Sequence, residues 1–115
     1  MSSDLRRTQR RNVHEPVMVV DTMSEQIIGR LGNISESGML LVANAPLVED
    51  ALYQLRFEIT DPTGRAVLID VGAHLIWVGS ANTPGQSWAG LRFLTIEESQ
   101  LAVLRQWIAR PVARG

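Results

Sequence analysis

Apolar and polar positions alternate most regularly in the middle of the chain. Tyr53, Leu55, Phe57 and Ile59 fall on one side of a two-residue repeat and Gln54, Arg56 and Glu58 on the other, the pattern of a half-buried antiparallel strand. Asp61-Pro62-Thr63-Gly64 is a turn signal, and Val67 to Val78 follows as a long strand whose two faces are both partly apolar. Beyond a loop from Gly79 to Gln86, a strand from Trp88 to Leu94 alternates Ala89, Leu91 and Phe93 with Gly90 and Arg92. Three earlier strands are expected: Val17 to Val20, then Ile27 to Ile34 after a turn at Thr22 to Gln26, then Met39 to Val42. Gly29 and Gly32 inside the second of these suit a twisted or bulged strand better than a helix. Asn33-Ile34-Ser35-Glu36-Ser37-Gly38 is dense in residues that bond their own backbone or permit unusual φ, so the chain should reverse there.

The period changes after Leu94. Thr95 and Glu98 have the spacing of a capping box, and Leu101, Leu104 and Ile108 form a helical stripe widened by Val103 and Trp107. Arg110-Pro111 should stop this helix. Six short strands and one terminal helix predict an all-β (mainly β) fold, a six-stranded antiparallel β-barrel or rolled sheet with a C-terminal α-helix on an open end or side. Residues 1–14 carry no sustained periodicity and read as a flexible, Arg-rich N-terminal arm, mobile until something binds it, ahead of a barrel domain over residues 15–110.

At 115 residues, with 45% hydrophobic and 20% charged positions, the chain has the size and balance of one globular domain. Its net charge of −1 conceals a division: all 11 basic residues are arginine, and four of them crowd into Arg6, Arg7, Arg10 and Arg11. Residues 1–11 carry +3 and the remainder −4, an acidic body with a basic arm. With an isoelectric point of about 6.1, this is not a uniformly basic nucleic-acid binder. Without cysteine there is no disulfide framework, thiolate nucleophile or Cys-ligated metal. No stretch approaches the ~18 apolar residues of a membrane span and no apolar leader follows the first charges, so a soluble cytoplasmic protein, monomer or dimer, is expected.

Catalytic signals are thin. His14 and His74 lack metal-ligand spacing, and His74 reads as a wall or edge residue of the sheet. Glu49-Asp50 and Glu97-Glu98 are sequence neighbours that cannot face each other across a substrate. No nucleophile motif, P-loop or dinucleotide fingerprint is present, and the expectation is a binding protein with no enzymatic activity, no metal and no cofactor.

Two features point to an anionic ligand. Arg6 and Arg10 stand four apart, as do Arg7 and Arg11, and guanidinium groups bond phosphate bidentately, pair with the O6 and N7 edge of guanine and stack on its ring. Asn33, Ser35 and Gly38 supply a mixed donor and acceptor, a small hydroxyl and a position open to close backbone approach or a left-handed turn, a set able to read the polar edge of a base.

Taken in order, Arg6-Arg7-Thr8-Gln9-Arg10-Arg11 and Asn33-Ile34-Ser35-Glu36-Ser37-Gly38 resemble the RxxxR and [D/N]xSxxG motifs of the PilZ domain, a bacterial receptor module for cyclic di-GMP. Pro16-Val17, Gly38-Met39-Leu40-Leu41 and Ala89-Gly90-Leu91-Arg92-Phe93 extend the resemblance over residues 6–108. The resemblance implies cyclic di-GMP as ligand, with Arg6, Arg7, Arg10 and Arg11 as candidates for phosphate and guanine contacts, Asn33 and Ser35 as bonding partners of a guanine, and Gly38 shaping the turn. It also implies an arm that orders on binding and passes the signal to a protein effector. Both registers of RxxxR are satisfied, and Asn33 stands where many members have Asp. Retention of both motifs argues against an adaptor that has lost its nucleotide. A third reading, a small barrel for single-stranded nucleic acid, calls for exposed aromatics among basic residues; the six aromatics here are expected mostly to face inward or lie on the helix.

Overall fold

A computed structural model describes residues 9–110. Its strands are β1 (Arg10–Asn12), β2 (Met18–Asp21), β3 (Gln26–Ser35), β4 (Gly38–Ala43), β5 (Leu52–Thr60), β6 (Ala66–Ser80) and β7 (Ser87–Ile96), followed by helix α1 (Glu98–Ala109). All pairings are antiparallel; the order β3-β2-β5-β6-β7-β4 closes through a β3–β4 pairing into the expected six-stranded barrel. Two bulges in β3, one opposite Val19/Val20 and one at Leu31/Asn33, fall beside Gly29 and Gly32 and give the strand the bend that closure requires.

The seventh strand corrects the sequence reading. The arm was expected to lack regular structure to residue 14, yet Arg10–Asn12 pair with Asn33–Ser35 on the edge of β3 that β2 occupies further along. The Val13 N–H donates to the Gly32 carbonyl and the Leu31 N–H to the Val17 carbonyl, which carries this edge past His14, Glu15 and Pro16. Arg6 and Arg7 lie outside the described residues.

The alternation of β5 is realised in full: Leu55, Phe57 and Ile59 are buried and Gln54, Arg56 and Glu58 exposed. They meet Ile69, Val71 and Leu75 of β6 and Met39 and Leu41 of β4 in one cluster that Leu104, Trp107 and Ile108 of α1 join. Burying a side chain such as Phe57 contributes about 1.5–3 kcal/mol. The helix bonds and packs on β1, the ends of β3 and β5, and the first half of β6, so it closes the barrel end at which the β3–β4 turn lies.

The capping box does not form. β7 runs on through Thr95, paired with Gly72, to Ile96, and the helix cap is Glu97, with no side-chain cap bond. The stop is as expected, the helix ending at Ala109, and Arg110 then donates to the Thr60 hydroxyl and carbonyl. In the β5–β6 turn Asp61 accepts from the Thr63 hydroxyl and from the Arg65 and Thr63 N–H groups, which holds its carboxyl below the ordinary carboxylate range. That contribution is present above the ordinary carboxylate pKa and is lost as pH falls through the lowered value. Glu49 and Asp50 have partners on β6, the Val78 N–H and His74 Nε2 respectively. Among the described residues no helix is long and apolar enough to cross a membrane.

Candidate ligand site

Pairing of β1 with β3 sets Arg10 opposite Ser35. From there its Nε donates to Asn33 Oδ1 at 2.8 Å and its Nη1 to Ser35 Oγ at 3.3 Å. A guanidinium is a pure donor, so the bond to Asn33 fixes the orientation of that amide: the oxygen faces Arg10 and the NH2 group is left to donate elsewhere. Arg10 is itself exposed and keeps its other N–H groups for a ligand.

Ser35 is fully buried, and its hydroxyl knits the turn together. It receives the Ser37 N–H at 3.2 Å, stands 3.1 Å from Ser37 Oγ and reaches the Gly38 carbonyl at 3.4 Å. Ser35 thus holds the shape of the turn through bonds to Ser37 and Gly38. Gly38 is needed for closeness rather than for a left-handed conformation: a Cβ there would lie 2.4 Å from the Leu91 carbonyl oxygen of β7.

Arg10, Asn33, Ser35 and Gly38 therefore come together, and Arg11 does not join them. Neighbours on a strand face opposite ways, and Arg11, 8% exposed, stacks on the Trp107 ring at 4.0 Å and donates to the Trp107 carbonyl at 2.8 Å and to Glu15 at 3.0 Å. Of the two RxxxR registers, the one ending at Arg10 brings a guanidinium to the turn; the one ending at Arg11 brings it beneath the helix.

Beside Arg10 and Gly38 opens a groove of about 270 Å³, lined also by Ile76, Trp77, Gly90 and Arg92. Of the six aromatics, Phe57 and Trp107 are buried and Tyr53 and Phe93 pack against the core, as mostly expected; Trp77, 44% exposed, and Trp88 face out. Strand alternation after the buried Ile69, Val71, Ala73 and Leu75 would turn residue 77 into the core, but a bulge between Leu75 and Trp77 reverses it. The indole then lies against β7, where a Cβ on Gly90 would come within 3 Å of three of its ring atoms. The side chain lines the groove, an aromatic on which a base can stack for about 1–3 kcal/mol. Arg92, opposite Gly38 in the β4–β7 register, adds a second guanidinium to the rim. Trp77 lies outside the segments that carry the resemblance, and Arg92 lies within one of them without having been read as a ligand residue; the signal that could have found Trp77 is Gly90, an interior strand glycine that marks close approach of another group.

A family model described as PilZ domain matches residues 4–110. The chain belongs to the PilZ domain family. Among solved structures, the inhibitor of motility MotI/DgrA of Bacillus subtilis resembles this PilZ domain with a TM-score of 0.71 at 16% sequence identity, over 88% of this chain and 47% of the other. The PilZ domain here thus spans about half the length of that neighbour, and the likeness is one of fold. No curated protein sequence matches the chain.

Proposed function

We propose that this PilZ domain is a receptor for cyclic di-GMP that signals to a partner protein from the cytoplasm. The observation that carries the proposal is the seating of Arg10 against Asn33 and Ser35 at the edge of a groove that Trp77 and Arg92 also line. A cyclic dinucleotide has two phosphates and two guanines, and the groove offers guanidinium groups for both chemistries and an indole for stacking. Arg10 and a second arm arginine, Arg6 by the register described above, take phosphate oxygens and a guanine Hoogsteen edge. The Asn33 NH2 group donates to an acceptor on the base, and the preformed turn spares the ligand the cost of ordering it. An arm drawn across the groove changes the surface offered to a partner. The neighbouring inhibitor of motility makes control of movement one process such a receptor could serve.

Calorimetric titration with cyclic di-GMP, with GTP and a random single-stranded oligonucleotide as controls, tests the proposal. Saturable binding of cyclic di-GMP alone is expected. Absence of binding at low ionic strength, or steeply salt-dependent binding of the oligonucleotide with no competition by cyclic di-GMP, overturns it. In the same assay Asn33→Asp is expected to tighten binding by about fivefold, because a carboxylate forms a charge-assisted pair with Arg10 through one oxygen and, where the amide has only its NH2 group left to offer, turns its second oxygen to the guanine N1 and N2 donors. Unchanged or weaker binding would place the base away from residue 33.

A further inference from the structure

Two residues at the ligand turn are each followed in the chain by one that grips the terminal helix. Arg10 bonds Asn33 and Ser35, and the next residue, Arg11, lies over the Trp107 ring and donates to the Trp107 carbonyl. Ser35 forms the turn, and the next residue, Glu36, accepts two bonds from Arg105, at 3.2 Å from Nε and 3.0 Å from Nη2. The same two short segments thus meet both the groove, through Arg10 and Ser37, and the helix, through Arg11 and Glu36.

We propose that α1 is the output element of this domain, latched to the barrel through Arg11–Trp107 and Glu36–Arg105, and that nucleotide in the groove tightens the latch. The proposal rests on the cyclic di-GMP reading for the identity of the ligand; the mechanical coupling rests on the contacts alone. β1 has three residues and pairs on one side only, with β3, so its seating is weak by itself. The buried Arg11 Nε has no hydrogen-bond partner among the described residues, which adds the desolvation cost of an unmet donor to the seated state. A ligand that bonds Arg10 and Asn33 holds β1 on β3, and β1 cannot be held there without placing Arg11 under the helix. Reciprocity follows: whatever loosens α1 must weaken the ligand by the same factor.

Arg105 is a surface residue of α1 outside the groove, so Arg105→Ala tests the latch without touching ligand contacts. Hydrogen exchange is followed on the full chain, free and saturated with cyclic di-GMP, beside calorimetry on the same samples. In the free protein, Arg105→Ala is expected to speed exchange of the Val13 amide, which bonds the Gly32 carbonyl, by about fivefold or more, with β5–β6 amides unchanged. In the wild type, cyclic di-GMP is expected to slow exchange in the second half of α1 by a similar factor, and Arg105→Ala to weaken its binding equally. Arg11→Lys, which keeps the charge and loses the planar stack, should reproduce both effects. If cyclic di-GMP binds and α1 exchange does not change, the latch is refuted and the receptor reading stands. If no nucleotide binds, the receptor reading fails, and the free-protein comparison decides the latch alone: an unchanged Val13 amide overturns it.

Discussion

Arg10→Ala is expected to weaken cyclic di-GMP binding by about a hundredfold or more while moving the melting temperature by no more than about 2 °C. The binding loss follows from the number and kind of bonds removed: two charge-assisted contacts to phosphate or guanine at about 1.5–3 kcal/mol each, plus release of Asn33 from its fixed orientation. The small effect on stability follows from exposure. The Arg10 side chain faces solvent, and its bond to Asn33 is a surface bond between groups that water serves nearly as well. Arg11→Ala should show the reverse balance, leaving a buried Trp107 ring and carbonyl without their partner and lowering stability first, with binding weakened only by the roughly fivefold factor that the latch transmits. Calorimetry and thermal melts on the two variants separate these roles. Equal effects of the two substitutions on binding and on melting would contradict the assignment of Arg10 to the groove and Arg11 to the helix.

Gly38→Ala is the second substitution with a large expected effect. The β4–β7 pairing closes one side of the ring, and Gly38 stands opposite Arg92 at its start, with the Phe93 N–H donating to the Ser37 carbonyl alongside. A methyl group 2.4 Å from the Leu91 carbonyl oxygen meets backbone and cannot be relieved by a rotamer change. Separation of the strands or distortion of the turn must follow, at about 1–3 kcal/mol for overpacking of this kind. For a domain of this size that lowers the melting temperature by roughly 5–15 °C. Because the same turn holds Ser35 and carries Asn33, nucleotide binding should fall by about tenfold or more even in the fraction that folds. Thermal melting followed by titration below the new midpoint tests both effects; a variant with wild-type melting and affinity would mean that β4 and β7 have room to separate at this point.

The barrel was legible where a strand buries one face in the core. In β5 each apolar position of the repeat from Leu55 to Ile59 is inside, because hydrophobic burial and strand period ask for the same residues there. β1 was illegible for the converse reason. Its buried residue is Arg11, made tolerable by Trp107, which lies 96 positions further on, and no local pattern announces such a partner. At Thr95 a valid local signal lost to a longer-range one: the spacing suits a cap, but pairing of β7 with Gly72 extends the strand through it. Asn33, Ser35 and Gly38 could be picked out as a turn with ligand chemistry, though the division of labour among them needed coordinates: Ser35 inside, Asn33 oriented by Arg10, Gly38 against β7. Trp77 was missed as a groove residue because a one-residue bulge turned the indole outward, and bulges follow from the closure of the whole barrel; Arg92 stands on the polar face of its strand, and only the β4–β7 register sets it beside Gly38.

The central claim is that cyclic di-GMP occupies the groove between the β3–β4 turn and Trp77. The most direct test is a titration of uniformly ¹⁵N-labelled protein, observing backbone amides, arginine Nε–H groups and the three tryptophan indoles. Large shifts are expected at Arg10 Nε, Trp77 Nε1 and the amides from Asn33 to Gly38, with smaller ones at Trp107 behind Arg11 and none along the middle of β5. Saturation without movement of Arg10 and Trp77, or with shifts centred on another face of the barrel, would contradict it.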